Sequence, residues 1–447
     1  MATPLVTQIK NRYFSVDCGM GYIIRLCDGR FVIIDGGYDE AGEAEHLYDL
    51  LCTQNETADK PTVAAWFFTH LHCDHIGSFA ALCRDFPNKV NIERIIYNFP
   101  SKERCPSISS SDFDTFENAV KSLENVEVIT AKTGQSYTFA DSVFNVIFTQ
   151  EDMPSPIERV NDSSLVVRTE IAGHRIMWLG DVERPAADRI CEMYSADDLK
   201  CDIMQVGHHG YGGGSDMLYR SIDPETLLWP IPDFTYHYVS VWDCNDYLMS
   251  SKNIRRCFLS GREEVTLDLT KPLPPSPEVT DTASGTIVYE EDFTDTDLFR
   301  LGFCCITGGS VVFKAADLEL KKGCCTLKTD ENYAVCEFLQ PRFLYNANGY
   351  TLEFDCKLQG DNAEFSLFWN NDTPMKRELE RAWKLNIPKD KRITVRLIAD
   401  AEIGTATLCF DGESVDSMPY TPTVQHGLYF VLKNAELELY KIKVTAN

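Results

Sequence analysis

Residues 69–77 read Thr-His-Leu-His-Cys-Asp-His-Ile-Gly, and they follow an apolar run at 63–68 that is typical of a buried strand. In an extended segment His70 and His72 project to the same side, so the two imidazoles can share one ion. The turn that follows leaves Asp74 and His75 facing a second ion or a water molecule. Imidazole and carboxylate are the ligands that a borderline divalent cation prefers. We therefore interpret this stretch as a metal site rather than as a polar loop.

The pattern His-x-His-x-Asp-His at the end of a strand resembles the metallo-β-lactamase superfamily, whose members are mostly metal-dependent hydrolases. Three other segments follow in that family's order: 31–37, 176–181 and 202–210. The double histidine in the last one, together with 161–167, is similar to the lactamase-like domain of ComEC-type DNA-uptake proteins. The resemblance covers residues 1–270 and implies an α/β fold of the αββα sandwich type.

The resemblance also implies which residues bind metal. The expected ligands are His70, His72, Asp74, His75, Asp181 and His208. His70 and His72 would hold one ion, and Asp181 would bridge the two ions. Asp74, His75 and His208 would hold the second ion. We prefer His208 because it comes first after the strand, with His209 as a catalytic residue that contacts the substrate, and the reverse assignment stays open. With a single ion, Asp74 would act as the general base.

One position departs from the family pattern. The family usually places a further histidine between the first motif and Asp181, but the only histidine in that interval is His174. Because His174 lies in a predicted hairpin turn, we expect it to be away from the site. Asn161 stands where the ComEC-type branch has its own substitute. We therefore include Asn161 as a candidate ligand of the first ion.

The ligand set predicts one or two divalent ions, with zinc as first choice and manganese or iron also compatible. Such ions deprotonate a bound water and stabilise the charge that develops on the substrate. We therefore predict a hydrolase for a phosphodiester or another ester-like, anionic substrate. The alternative is a non-catalytic binding or scaffold protein, with a degenerate metal site and a β-sandwich that binds carbohydrate or protein.

The charge of the chain limits its partners. The net charge is −26, with 68 acidic and 42 basic residues, and no stripe of lysine and arginine is present. Tight nucleic-acid binding needs clustered cations, so we expect a small-molecule or phosphodiester substrate instead. The start of the sequence lacks a basic n-region, and no apolar run approaches the length of a membrane span. We therefore expect a cytoplasmic protein without a membrane partner.

Composition divides the chain into two domains. A proline-rich segment at 271–285 separates a metal-hydrolase domain at 1–270 from a second domain at 286–447. In the first domain, apolar spacing predicts helices at 43–54 and 112–124, the latter with Phe113 and Phe116 facing the core. Residues 210–215 are rich in glycine. They either turn backbone amides toward an anion or form a simple turn, and both interpretations stay open.

The second domain has the alternating pattern of β-structure. At least six such segments predict a two-sheet sandwich, which weakly resembles the concanavalin and laminin-G-like jelly rolls. A shift of apolar parity within 436–444 indicates a bulge. Trp369 and Trp383 could stack on a sugar, but we favour a core position for Trp369 and a short helix at 375–385 for Trp383.

Overall fold

A computed structural model describes residues 2–10, 19–40, 42–57, 59–232, 236, 239, 242–251, 253–261, 264–274, 285, 287–294, 303–306, 313–314, 316–338, 349–370, 382–420 and 427–447. The chain divides into two compact units, Met1–Tyr236 with Ser251–Thr280 and His237–Ser250 with Asp281–Asn447. Residues 275–284 of the predicted linker lie outside the described residues, and the domain bounds 1–270, 271–285 and 286–447 stay predictions. Among the described residues, no helix combines the length and the apolarity needed to cross a lipid bilayer.

The first unit alternates strands and helices. Its strands are β1 (Leu5–Gln8), β2 (Gly21–Arg25), β3 (Phe31–Asp35), β4 (Thr62–Phe67), β5 (Asn91–Ile92), β6 (Arg94–Tyr97), β7 (Glu127–Thr130), β8 (Ser136–Phe139), β9 (Ser142–Phe148), β10 (Val166–Ile171), β11 (His174–Trp178), β12 (Ile203–Gln205), β13 (Thr226–Trp229), β14 (Arg256–Leu259) and β15 (Val265–Asp268). Its helices are α1 (Glu43–Gln54), α2 (Cys73–Asp85), α3 (Ser110–Lys121), α4 (Arg184–Met193), α5 (Ala196–Leu199) and α6 (Asp216–Ile222). Short 3-10 turns occupy Gln150–Asp152, Val160–Ser163 and Gly207–Gly210.

These strands form two sheets. One has the order β15-β1-β2-β3-β4-β6-β7 with β5 beside β4, and the other has the order β14-β13-β12-β11-β10-β9-β8. Strands β3, β4, β6 and β7 run parallel, as do β11 to β14. The loops at the carboxyl ends of β3, β4, β11 and β12 carry the candidate site residues, and this is the edge at which open α/β sheets bind ligands.

Apolar side chains hold the layers of this unit together. Phe67 of the first sheet stacks on Phe144 of the second, with ring centroids 5.5 Å apart, inside a core shared by both sheets. On the other face of the first sheet, Trp66 packs edge-on against Phe79 of α2 at 4.9 Å. Every residue of β13 is buried, as expected for a parallel strand covered on both faces. The predicted α/β class is confirmed.

The two predicted helices are present with small differences. Helix α1 has the predicted bounds, whereas α3 begins at Ser110, because the Ser109 hydroxyl accepts a hydrogen bond from the Asp112 backbone N–H at 3.3 Å. Phe116 is buried as predicted. The prediction of a core position for Phe113 is wrong, since this side chain is 42% exposed. It lies in the first turn, outside the narrow stripe that α3 buries.

The second unit consists mainly of strands. These are β16 (Ile287–Glu291), β17 (Phe303–Ile306), β18 (Phe313–Lys314), β19 (Asp317–Lys321), β20 (Cys324–Lys328), β21 (Tyr333–Phe338), β22 (Gly349–Gln359), β23 (Glu364–Asn370), β24 (Trp383–Lys384), β25 (Arg392–Asp400), β26 (Thr405–Phe410), β27 (Glu413–Pro419), β28 (Gly427–Lys433) and β29 (Glu436–Ala446). The unit also contains a 3-10 turn at Asp243–Asn245 and helix α7 (Asp246–Ser250).

Two sheets make up this unit. One has the order β19-β20-β29-β22-β25-β26-β27 with β16 beside β29, and the other has the order β17-β21-β28-β23-β24 with β18 beside β21. Phe354 of the first sheet and Phe430 of the second lie 5.4 Å apart in one core. The two-sheet β-sandwich is confirmed, while its jelly-roll character and its resemblance to concanavalin stay predictions.

Two local predictions in the second unit have opposite outcomes. Asp355 faces Lys441 and Cys356 faces Leu439, which leaves Tyr440 as the extra residue of a bulge, as predicted. The predicted helix at 375–385 is wrong where it is described, because Trp383 lies in β24 and pairs with Leu367. The rest of that segment, 375–381, lies outside the described residues, as does the Trp369 side chain.

Candidate metal centre

The predicted metal motif connects β4 to α2. His72 has an extended backbone (φ −121°, ψ 152°), and its carbonyl accepts hydrogen bonds from the N–H groups of His75 and Ile76. Asp74 and His75 therefore lie in the first turn of α2. Gly36, just after β3, donates from its backbone N–H to the His75 carbonyl at 2.6 Å. This bond joins the end of β3 to the first turn of α2.

The candidate ligands form two groups that share one carboxylate. The possible ligand atoms of Asp74, His75, Asp181 and His209 lie within 4.8 Å of one another, and those of His70, His72 and Asp181 do so as well. Oδ2 of Asp181 lies 3.3 Å from Nε2 of His75 and 3.6 Å from Nε2 of His70. The structure thus brings together five of the seven predicted ligands, with Asp181 belonging to both groups.

The chemistry of these groups fits a divalent cation. Nε2 of His75, Nε2 of His209 and Oδ1 of Asp181 are buried and have no hydrogen-bond partner in the described part of the chain. Leaving a buried polar atom unpartnered costs about 1–3 kcal/mol. A cation at this point would bind all three atoms, and imidazole with carboxylate is an ordinary ligand set for zinc.

Charges in the site are strongly coupled. Burial lowers the pKa of His75 and of His209, but the carboxylates of Asp181 and Asp74 outweigh this effect, and the pKa of His209 is raised to about 10. Burial and the neighbouring His75 instead lower the pKa of His70. The pKa values of Asp74 and Asp181 are held well below the usual range by the histidines, against the effect of burial. A carboxylate as acidic as Asp74 is better suited to binding a cation than to accepting a proton.

Asp35 orients one of the candidate ligands, and the sequence interpretation had assigned it no role in the site. Its fully buried carboxylate lies 2.8 Å from Nδ1 of His75 and accepts hydrogen bonds from the backbone N–H and the hydroxyl of Thr69. Carboxylates commonly fix metal-binding histidines in this way. The sequence signal for this role is the Asp35-Gly36-Gly37 turn after β3, within the segment 31–37.

The structure places His209, and not His208, among the candidate ligand atoms, which favours the reverse assignment of the histidine pair. His209 belongs to the candidate ligand group, with Nε2 at 3.2 Å from Oδ2 of Asp74, and its Nδ1 donates to the Pro230 carbonyl at 2.7 Å. His208 lies outside that group. Both residues have left-handed backbones, with φ of 45° and 52°. This tight turn reverses the order expected for an extended strand end.

The ring of His208 is held elsewhere. The amide nitrogen Nδ2 of Asn161 donates a hydrogen bond to Oε1 of Glu183 at 2.9 Å, because a carboxylate oxygen can only accept. The same nitrogen carries a second hydrogen, which it donates to Nε2 of His208 at 3.1 Å. His208 therefore carries its proton on Nδ1, which lies 3.4 Å from Oε1 of Glu183. Within the described chain no hydrogen bond joins Asn161 to His70 or His72, and its role as a ligand stays a prediction.

A buried glutamine braces the two loops that carry Asp181 and the histidine pair. Oε1 of Gln205 accepts hydrogen bonds from the backbone N–H groups of Leu179 and Gly180, and its Nε2 donates to the Gly180 and Val206 carbonyls. A Cβ at Gly180 would lie 2.7 Å from Cβ of Thr69. Nothing in the sequence pattern distinguished Gln205 from an ordinary strand residue.

The glycine-rich loop is a structural turn. The N–H groups of Tyr211, Gly212 and Gly214 donate to the carbonyls of His208, Gly210 and Val182. Those amides are therefore not available to an anion, which favours the simple-turn interpretation. His174 begins β11 directly after the Ala172-Gly173 turn, as predicted, and it is in neither ligand group.

Comparisons with known proteins agree with the motif. Residues 19–126 match the family profile described as the Metallo-beta-lactamase superfamily. ComE operon protein 3 of Bacillus subtilis (strain 168) is 26% identical over 165 residues, which cover 37% of this chain and 19% of that protein. The chain therefore spans about a fifth of the length of this relative.

The chain is also similar, at low TM-scores, to solved structures. The metallo-beta-lactamase fold protein YhfI from Bacillus subtilis is 12% identical with a TM-score of 0.31, covering 50% of this chain and 84% of YhfI. Zn(2+)-bound PqqB from Methylobacterium extorquens is 10% identical with a TM-score of 0.35, covering 59% of this chain and 99% of PqqB. The profile match at 19–126 contains the motif whose side chains converge in the site, and at these residues the chain carries a domain of the metallo-beta-lactamase superfamily.

Proposed function

We propose that the first unit is a metal-dependent hydrolase for a phosphodiester or another ester-like, anionic substrate. The observation that carries the proposal is the convergence of two buried ligand groups on Asp181. A pair of divalent ions, when bound, lowers the pKa of water and polarises the scissile group. Zinc is our first choice of metal, and manganese and iron suit the same residues.

Each residue has a separate task in this proposal. His70 and His72 would hold one ion, Asp74, His75 and His209 would hold the other, and Asp181 belongs to both groups. Asp35 keeps Nδ1 of His75 occupied, so that its Nε2 faces the ion. Because this site is buried, its charges act in a medium of low dielectric, where they stabilise a developing negative charge more than they would in water.

The charge of the site favours an anionic substrate only when metal is present. Asp74 and Asp181 are ionised, as the direction of their pKa shifts indicates, and the chain carries a net charge of −26. Without metal, the protonated His75 and His209 only balance these two carboxylates, so the site has no excess positive charge to attract a phosphate. The net negative charge of the chain supports a small substrate over tightly bound nucleic acid.

We also propose that the protein is cytoplasmic and that its second unit contacts carbohydrate or protein.

Two measurements test the proposal. Elemental analysis of protein purified without added metal should find zinc, manganese or iron, and bis(p-nitrophenyl) phosphate should be hydrolysed by the loaded protein. Asp181→Asn should lower both the metal content and the hydrolysis. The control is Asp188→Asn, which removes an exposed carboxylate of α4 and should change neither. Metal content equal to wild type in Asp181→Asn would show that the assignment is wrong.

A protein that binds neither metal nor esters would instead support the binding or scaffold alternative. In that case a glycan array should detect binding by the full chain, and the same binding should persist in Asp181→Asn. Loss of array binding in Asp181→Asn would count against that alternative, because its binding function does not depend on the metal site.

A further inference from the structure

Arg159 has an unusual contact with a buried carboxylate beside the metal centre. Its Nη1 alone contacts both oxygens of Glu183, at 2.9 and 2.8 Å. The Glu183 side chain is 9% exposed, whereas that of Arg159 is 68% exposed. Within the described chain, no hydrogen bond or ion pair engages Nε or Nη2 of Arg159. These two nitrogens form the fork that binds a carboxylate or a phosphate in a bidentate manner.

Glu183 connects this fork to the candidate ligands. It follows Asp181 by two residues, and its Oε1 accepts from Asn161 and lies 3.4 Å from Nδ1 of His208. His208 in turn precedes His209, which belongs to the ligand group. The backbone around Glu183 is also tied to the loop after the histidine pair, through a β-bridge with Gly213. The guanidinium is therefore held at the side of the metal centre.

We propose that the open fork of Arg159 binds a second anionic group of the substrate, a phosphate or carboxylate next to the scissile bond. Arg159 is then a specificity-determining residue, and this role in catalysis rests on the proposed hydrolase function. The capacity of Arg159 to bind an oxyanion does not rest on the hydrolase function, because this capacity follows from the open fork and its exposure to solvent.

Two physical arguments support this assignment. Glu183 immobilises the guanidinium before any ligand arrives, so less side-chain entropy is lost when an anion binds. The guanidinium of arginine also presents a planar fork of two N–H donors. Neutralising the charge of Glu183 would not require such a fork. The opposing explanation is that Arg159 serves solely as the counter-ion of a buried glutamate. The two explanations differ in whether an anion competes for the free fork.

Chemical labelling tests the fork without any need for activity. Phenylglyoxal, which modifies arginine side chains, would be applied to the full chain with and without inorganic phosphate, and labelled peptides would be quantified by mass spectrometry. Phosphate at about ten times its dissociation constant should slow the labelling of Arg159 by about tenfold. Arg184 is the internal control, since it is 76% exposed and one residue from Glu183. Equal protection of both arginines, or of neither, would overturn the proposal.

A matched pair of substrates then tests specificity. Thymidine 5′-(p-nitrophenyl phosphate) would be compared with its 3′-phosphorylated form, in wild type, Arg159→Met, Arg159→Lys and Arg184→Met. Arg159→Met should lower kcat/KM for the 3′-phosphorylated ester by about 10–100-fold and change that for the other ester by less than about threefold. Arg159→Lys should recover only part of the loss because it lacks the fork. Arg184→Met should behave as wild type.

The two experiments separate this inference from the hydrolase proposal. Selective protection of Arg159 without turnover of either ester would leave the anion site standing and overturn the hydrolase function. Turnover of both esters with no selective protection, and with equal losses in Arg159→Met, would leave the hydrolase and overturn the role of Arg159. A drop in thermal stability shared by Arg159→Met and Arg159→Lys does not affect the labelling result, which uses wild-type protein.

Discussion

The carboxylate of Asp35 lies 2.8 Å from Nδ1 of His75, although the two residues are forty positions apart in the chain. Because Asp35 ends β3 and His75 lies in the first turn of α2, the contact joins a strand end to a helix through a candidate ligand. We expect Asp35→Asn to weaken metal binding by about 10–100-fold, the usual effect of losing the group that orients a metal-binding histidine. A competition assay with a chromogenic chelator would measure the affinity.

The control for this variant is Asp39→Asn, because Asp39 is exposed and pairs with Arg84 instead. Its metal affinity should equal that of wild type. Wild-type affinity in Asp35→Asn would mean that the contact with His75 serves the fold alone.

The histidine pair provides a second prediction. His209→Ala should lower the metal content, because Nε2 of His209 lies inside the ligand group, whereas His208→Ala should leave the metal content unchanged. Elemental analysis of both variants, purified side by side, would check this. The opposite result would restore His208 as the ligand.

The raised pKa values of His75 and His209 predict that metal affinity increases with pH. In the metal-free protein burial lowers both pKa values, but Asp181 and Asp74 raise them more, to about 10 for His209. Since a metal binds only neutral imidazole, binding near pH 7 should release about two protons. The affinity should then rise by about two decades per pH unit above pH 7. Calorimetric titration with zinc in buffers of different ionisation enthalpy would count the protons.

The raised pKa of His209 also predicts how the stability of the metal-free protein changes with pH. The folded-state pKa of His209 lies above the unfolded value of about 6.5. Its contribution to the stability of the metal-free protein is therefore complete below about pH 6.5 and is lost as the pH rises through about 10. Binding without proton release at pH 7 would contradict this account of the site.

A close approach at Gly213 provides a test of the loop. A Cβ there would lie 2.1 Å from the Gly207 carbonyl oxygen and 2.6 Å from Cβ of His208. We expect Gly213→Ala to cost about 1–3 kcal/mol of stability and to lower metal affinity, because the histidine turn must move. Urea unfolding and metal titration would measure the two effects.

Gly212→Ala is the matched control for this variant. Gly212 has a φ of 71°, but a Cβ there meets nothing within 4 Å. Its cost should be backbone strain alone, about 1–2 kcal/mol, with unchanged metal affinity. Equal losses of affinity in both variants would show that strain anywhere in the loop disturbs the site.

Local patterns in the sequence predicted the regular elements well. The apolar spacing of α1 gave its bounds, and the parity shift around Tyr440 indicated the bulge between β22 and β29. Predictions from apolar periodicity succeed for these two elements because the burial of one face decides where each element lies. It failed for Phe113, which has the correct spacing but lies beyond the edge of the buried stripe, and for Trp383, whose strand depends on pairing with distant Leu367.

By itself, the sequence determined the kind of site: imidazoles and carboxylates, spaced to leave a strand and enter a helix, with Asp181 just after a later strand. Those features depend on side-chain chemistry and on short-range spacing, which can be read along the chain. Only the tertiary structure decided that His209 and not His208 lies among the candidate ligand atoms, that Asp35 contacts His75, and that Arg159 keeps an open fork on Glu183. These relationships depend on left-handed backbone angles and on contacts between segments more than twenty residues apart, and neither leaves a periodic pattern in the sequence.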